Sequence, residues 1–395
     1  MTNDRPVPPS DTVIRNVRAV LPDAVLPRAS VLLRGGKIAR VTRDPVPENG
    51  ATVIDGRGGL LMPGFVDIHS DAIESAIQPR PGGRFPVDVA LHELDKQLVA
   101  CGVTAIYHCL CFLSDDENPP FRNTETTDFL IHRIHALRDR FRARTFVHAR
   151  YEITNAEGHA AVEQLIDRRL IHFFSLMDHT PGQGQFSRVD HFRTYYAEAR
   201  GLSGDHVDRL IQRRLDARGR IDWEAIGRLA ARCRQNGIRM ASHDDDSAQK
   251  VAALHRLGVT LSEFPVNLEA ARAARRLGML VSLGSPNVLR GASLTGNLSG
   301  REALGAGLGD ILCSDYAPMS LLHAALQLHR EQILPLAAAV RLITVNAARA
   351  TGLDALTGAI VPGKAADLVL VDDRSEVARV VRTFVGGREV FHSES

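Results

Sequence analysis

Eight short apolar runs, each followed by helix-like sequence, constrain this chain more than any other feature. They are GFVDIHS (64–70), VTAIYHCL (103–110), RTFVHARYEI (144–153), IHFFSLMDH (171–179), IRMASHDD (238–245), VTLSEFP (259–265), MLVSLGSP (279–286) and DILCSDYAP (310–318). They lack the clean apolar–polar alternation of a half-solvated strand, so each reads as a strand buried on both faces. Helical stretches such as VALHELDKQLVACG and NLEAARAARRLG separate them. Repeated βα units of this kind predict an α/β fold, a closed (β/α)₈ TIM-type barrel. A doubly wound open sheet would want a glycine-rich phosphate turn after its first strand. The sequence after residue 70 holds none.

A barrel of this type takes about 250 residues, and the chain has 395. The surplus lies at both ends. TVIRNVRAVL, SVLLRGGKIARV and TVIDGRGGLLMP near the N-terminus are short strand-like pieces, with turn chemistry at Arg34-Gly35-Gly36-Lys37 and Asp55-Gly56. AIVPGKAADLVLVDD and ARVVRTFVGGREVFH at the other end have the same texture. Neither half-sheet buries a face alone. The expectation is a small β-sandwich domain from residues 1–60 and 355–395 around a barrel spanning 61–354. The stretch 180–237 holds more helix than one βα unit needs, and long insertions at strand C-termini usually shape the pocket.

Net charge is +2 with no basic or acidic block, which speaks against nucleic-acid or membrane partners. The five cysteines (101, 109, 111, 233 and 313) are odd in number and form no Cys-x-x-Cys pair, as expected for reduced core residues. The opening MTNDRPVPPSDTV has no apolar signal core, and no apolar run approaches ~18 residues. A cytoplasmic protein is expected, and a homodimer is the commonest state for such chains.

Metal-ligand residue types collect where the runs end. His69 and Asp71 end the first, Glu152 the third, and Asp178 with His179 the fourth. His243, followed by Asp244, Asp245 and Asp246, ends the fifth; Glu263 ends the sixth and Asp315 the eighth. In a barrel these ends share one mouth. A single His there is more often structural, and a lone carboxylate often caps a helix; convergence of so many is another matter. His108 and His148 keep the structural reading. Imidazole with carboxylate suits Zn²⁺ first, then Mn²⁺ or Fe²⁺, better than the all-oxygen cages of Mg²⁺ or Ca²⁺. Such an ion lowers the pKa of bound water toward 7.

Two motifs make the pattern specific. Met62-Pro63-Gly64-Phe65-Val66-Asp67-Ile68-His69, after the Asp55-Gly56 turn, resembles the start of the first barrel strand in the amidohydrolase superfamily. Gly363-Lys364-Ala365-Ala366-Asp367-Leu368-Val369-Leu370 resembles that family's returning strand. Internal motifs resemble the superfamily's PhnM-type phosphonate-degradation hydrolases: His69-Ser70-Asp71-Ala72-Ile73-Glu74, Met177-Asp178-His179-Thr180-Pro181-Gly182-Gln183, Ser242-His243-Asp244-Asp245, Glu263-Phe264-Pro265, Gly284-Ser285-Pro286-Asn287-Val288-Leu289-Arg290-Gly291 and Ser314-Asp315-Tyr316-Ala317-Pro318.

The resemblance implies one or two divalent ions, Zn²⁺ first and Mn²⁺, Fe²⁺ or Mg²⁺ as alternatives, held by His69, Asp71, Glu152, His179, His243 and Asp315. Asp71 stands where the family usually has the second His of a His-x-His pair. None of the four lysines (37, 96, 250 and 364) ends a barrel strand, which excludes the carboxylated-lysine bridge and leaves Glu152 for that place. Asp315 maps onto the family's ligand and general base. Asp178, Asp244 and Asp245 are expected behind the ligands, orienting rings or capping helices. The implied substrate is α-D-ribose 1-methylphosphonate 5-triphosphate, with pyrophosphate and the 5-phosphate as products. Arg80, Arg84, Arg150 and Arg290 are candidates to offset its charge, with Gln183, Asn287 and Tyr316 as further substrate contacts. Gly184 departs from the pattern, because a basic residue is expected there. Glu74, Glu263 and Asp246 have no assigned task. The competing readings are a C–N hydrolase of the same fold (deacetylase, deaminase or cyclic-amide hydrolase) and an inactive scaffold.

Overall fold

Two adjacent glycines set the second hairpin. β1 (Thr12–Val20) pairs antiparallel with β2 (Val25–Arg34), and β2 with β3 (Lys37–Thr42). Between β2 and β3, Gly35 and Gly36 both have positive φ (57° and 77°), as a two-residue turn with the twist of a hairpin requires. β4 (Thr52–Asp55) pairs with the first half of β1, and β5 (Leu60–Pro63) with its second half. The computed structural model describes residues 11–47, 50–113, 120–186, 188–200, 202–293 and 296–394. The outermost residues assigned to the terminal domain, 1–10 and 395, lie outside the described residues.

The chain then runs through β6 (Phe65–Ser70), β7 (Val103–Phe112), β8 (Arg144–Glu152), β9 (Phe173–Met177), β10 (Arg239–His243), β11 (Leu261–Glu263), β12 (Leu280–Gly284) and β13 (Ile311–Cys313). It ends with β14 (Leu368–Asp372), β15 (Arg379–Val385) and β16 (Arg388–His392). β14 pairs antiparallel with β5, so the terminal sheet follows the order β16-β15-β14-β5-β1-β2-β3, with β4 beside β1. One apolar cluster gathers Ile14, Val31, Ile38 and Leu61 from the N-terminal limb with Leu368 and Phe384 from the C-terminal one. The two termini thus build a small sandwich-like domain, whose sheet continues past residue 60 to Pro63.

β6 to β13 are neighbours in sequence order, and the pairings among them are parallel. The circle closes between β6 and the end of β13 through a parallel Ser70–Asp315 bridge. There Asp315 N donates to His69 O (3.0 Å), and Asp71 N to Asp315 O (2.7 Å). The lower interior is filled by Val66, Ile68, Tyr107, Phe173 and Leu261, with Ala347 and Ala348 of the helix Val345–Thr351 below them. This is the packed centre expected of an eight-stranded barrel. A second apolar shell joins the strands to their helices and to Val369 and Val371 of the terminal sheet.

Buried Asp367 joins the domains. It accepts hydrogen bonds from Arg144 Nε and Nη2 (2.9 and 3.1 Å) and from the Gly386 N–H (2.7 Å). All five cysteines are free. Among the described residues, no helix is long and apolar enough to cross a membrane.

The insertion after β9 carries two antiparallel-linked helices, Val189–Arg200 and Gly204–Arg218, before the barrel helix Trp223–Gln235. Phe186, Phe192, Tyr196, Val207, Leu210 and Ile211 form a separate small core between the two. Arg193–Asp208 (2.7 Å) links the helices, and Arg218–Asp178 (3.3 Å) ties the second to the barrel.

Candidate active site

At the C-terminal ends of the strands lies a cavity of about 770 Å³. Its floor is made by strand-end residues whose backbone leaves the β region abruptly. Asp244, Phe264 and Asp315 all have positive φ (51°, 52° and 58°). A left-handed non-glycine residue costs about 1–3 kcal/mol, so the surroundings must hold it. For Asp315 they do so by the barrel-closing hydrogen bonds, and for Asp244 by Lys250, whose ammonium donates to the His243 and Asp244 carbonyls (3.2 and 3.0 Å). Lys250 is therefore committed to backbone.

Three imidazoles meet at this floor. His69 and His243 have ring centroids 5.3 Å apart, and His179 and His243 5.8 Å. His69 Nδ1 faces Glu263 Oε1 at 3.0 Å, while its Nε2 is buried with no partner. His179 Nδ1 faces Glu152 Oε2 at 2.9 Å, and its Nε2 is 3.7 Å from Asp244 Oδ2. The same Asp244 oxygen is 3.0 Å from His243 Nδ1, and neither of these buried atoms has a hydrogen-bond partner. His179, His243 and Asp244 offer ligand atoms within 4.8 Å of one another, as do His69, His243 and Glu263. Buried polar atoms are normally satisfied, so three orphaned donor atoms of ligand type are what a cation site leaves when the cation is taken away. Residues and group fit.

Electrostatics agree. Burial pulls His69 well below its ordinary value and His243 down to about 4, so both are the neutral imidazoles that a metal needs. Asp244 is held down to about 2: burial opposes ionisation, and the two histidines outweigh it. Asp315 behaves oppositely. Burial, then the neighbouring Asp71, raise it to about 7 against the pull of Arg150. A carboxylate balanced near neutrality suits proton transfer.

Arg150 occupies the middle of this group. It is buried, and its Nη2 donates to His243 Nε2 (2.9 Å). Arg122, absent from the sequence reading, grips Glu74 with two bonds (2.7 and 2.6 Å) and approaches Asp71 at 3.6 Å.

Other expected residues separate clearly. Asp71, Glu152, His179, His243, Asp244, Asp315, Arg150, Asn287, Arg290 and Tyr316 line the cavity, and His69 lies buried beside it. Glu152, expected as a bridge, accepts from the ring and backbone of His179 and stands behind it. Asp244, expected behind a ligand, instead points between two imidazoles. Glu263 stands behind His69 and also accepts from Ser175 Oγ (2.6 Å). Arg80 and Arg84 are exposed on their loop and do not line the cavity, so that expectation is corrected.

Gln183 likewise bonds its neighbour's carbonyl, and Gln185 lines the cavity in its place. Asp178 accepts from Thr180 N and pairs with Arg218. Asp245 accepts from Ser242 and Ser262, pinning β10 to β11, and Asp246 accepts from Gly184 N (2.7 Å). Gly184 has φ +53°, and a Cβ there would meet Asp244 and Asp178 at 3.1–3.2 Å, so a basic side chain at that position would be strained and crowded. Asn287 braces the next loop through Leu298 O and Gly300 N. Sequence reasoning missed Arg122, Arg213, Arg214, Tyr195 and Tyr196, all on the cavity wall. The length of the insertion was the only signal for the last four.

Comparison with known proteins places this geometry. The amidohydrolase family model matches residues 228–390. The Escherichia coli K12 α-D-ribose 1-methylphosphonate 5-triphosphate diphosphatase is 34% identical over 385 residues, covering 96% of this chain and all of the relative. Among solved structures, a prolidase complexed with N-methylphosphonate-L-proline superposes with a TM-score of 0.66 at 17% identity, covering 97% of this chain and 100% of that one. Molinate hydrolase gives 0.65 at 14% identity, covering 97% and 95%. At those identities the two structures speak to the fold alone. The similarity to the Escherichia coli enzyme spans nearly all of this chain and all of the relative, and this chain belongs to the amidohydrolase family.

Proposed function

We propose that this protein hydrolyses α-D-ribose 1-methylphosphonate 5-triphosphate to the 5-phosphate and pyrophosphate, using a divalent cation at the barrel mouth. The observation that carries the reading is a single cavity in which a histidine–carboxylate cluster stands beside the guanidinium groups of Arg122, Arg150 and Arg290. A polyphosphate ester needs both: cations to neutralise its oxygens and a site to activate water.

His69, His179, His243 and Asp244 would hold the ion, with Asp71 and Asp315 on the same cavity wall. Zn²⁺ suits this mixture of nitrogen and oxygen donors, with Mn²⁺ or Fe²⁺ next. When bound, the ion supplies Lewis-acid chemistry. Glu263 and Glu152 fix the rings of His69 and His179 by holding Nδ1, which leaves each Nε2 lone pair turned inward. Water attacks the phosphorus next to the ribose, the bond to the β-phosphate oxygen breaks, and pyrophosphate leaves. Asp315 takes the proton that water loses. Arg150 and Arg122 balance the charge gathering on the phosphoryl oxygens.

The test is product analysis with the protein as purified. Pyrophosphate from the sugar triphosphate supports the reading. Release of ammonia or carboxylate from amide, imide or amine substrates, with the triphosphate untouched, replaces it by a C–N hydrolase.

A further inference from the structure

The cavity is electrically divided, and its outer half is built by the helical insertion. All carboxylates on its wall (Asp71, Glu152, Asp244 and Asp315) come from strand ends or the residues just beyond them. The helix Gly204–Arg218 contributes Arg213 and Arg214, and the helix Val189–Arg200 contributes Tyr195 and Tyr196. No acidic side chain stands among the described residues of these two helices that reach the cavity.

The guanidinium of Arg214 lies 5.3 Å from the Phe192 ring centre and 5.2 Å from that of Tyr196. Stacking of this kind pre-orients the planar fork before any ligand arrives. The rings belong to the insertion's own packed core. Arg290, at the end of the short helix Ser285–Arg290 after β12 and with its Nη1 donating to the Tyr316 hydroxyl, lines the same cavity.

We propose that Arg213 and Arg214 form a separate polyanion subsite that holds the distal phosphates of a linear polyphosphate tail while the strand-end cluster holds the reacting phosphate. This rests on the reading of the cavity as a polyphosphate-ester site. It adds a length requirement: a tail must reach from the floor to the insertion, so triphosphate is favoured over monophosphate. Charge-assisted bonds from paired guanidiniums are the strong, geometrically selective kind that phosphate oxygens accept.

The test is calorimetric titration of the full-length protein as purified with inorganic tripolyphosphate, and separately with orthophosphate, at fixed ionic strength. Wild type should prefer tripolyphosphate by roughly tenfold or more. R213Q should lose roughly tenfold in tripolyphosphate affinity, and R213Q/R214Q more, with orthophosphate little changed. R209Q, on the same helix but away from the cavity, should match wild type. Arg213 is exposed, so its single substitution leaves the insertion's core intact. R214K keeps the charge without the fork and should fall between. An unchanged tripolyphosphate preference in R213Q and R213Q/R214Q overturns the subsite. Lost preference in the variants, with no pyrophosphate released from the sugar triphosphate by wild type, upholds the subsite and removes the substrate reading.

Discussion

Glu263→Gln isolates one structural claim, that a buried carboxylate aims His69 at the cation. Glu263 is fully buried, with Oε1 3.0 Å from His69 Nδ1 and Oε2 accepting from Ser175 at 2.6 Å. Glutamine keeps the shape. Its amide oxygen can still accept from His69, and its NH₂ can turn to the Ser175 hydroxyl. What disappears is the charge behind the imidazole, and a neutral acceptor makes roughly half as strong a bond. Loss of such a partner weakens metal binding about 10–100-fold, or about 1.4–2.8 kcal/mol. The retained geometry puts Glu263→Gln near the lower figure. Glu263→Ala strips both His69 and Ser175 of a partner and lies at or beyond the upper one. The assay is competition for Zn²⁺ against a chromophoric chelator on metal-stripped protein, with the apo melting temperature measured in parallel. Wild-type affinity in a folded Glu263→Gln variant would refute the reasoning.

Other consequences are as direct. Asp315→Asn should cut turnover by about 10²–10⁴-fold while metal content measured by elemental analysis stays at the wild-type level; near-normal turnover removes Asp315 as the base. Asp367→Ala should cost about 3 kcal/mol in urea unfolding, at the low end for a buried pair because Arg144 remains 28% exposed. Asn267 caps the helix Leu268–Arg276 by accepting from Ala270 N (2.8 Å), so Asn267→Ala should lose about 1 kcal/mol. Buried His108 is pulled by burial from 6.5 to about 4. Its folded pKa is depressed, so the unfolded state binds more protons between those values. Its contribution is present above pH 6.5 and is lost as pH falls toward 4, at about 1.2 kcal/mol per pH unit near pH 5. Between pH 7 and pH 5 this amounts to about 1.8 kcal/mol, and urea unfolding at the two pH values should show His108→Gln losing that much less stability than wild type.

The barrel was legible because burial on both faces imprints a period-free apolar run, and eight of these are hard to arrange otherwise. Extents were less so: VTLSEFP contracts to a three-residue strand, Leu261–Glu263, while the run from Val103 lengthens to Phe112. Convergence of His69, His179, His243 and Asp315 follows from barrel geometry alone. The division of labour among carboxylates does not. Glu152 and Glu263 look alike in sequence to Asp71 and Asp244, and only the folded placement of each side chain decides which carboxylates back an imidazole and which do not. Arg80 and Arg84 carried the right charge on a loop that turns outward. Arg122, Arg213 and Arg214 lie in segments without a motif, brought to the mouth by tertiary folding.

The most direct test of the central claim is phosphorus NMR of the sugar triphosphate turned over in ¹⁸O-enriched water by metal-stripped protein, before and after a divalent ion is restored. The account predicts that pyrophosphate appears only after restoration and that the label enters the ribose 5-phosphate product. Label in pyrophosphate, or equal release without metal, would contradict it.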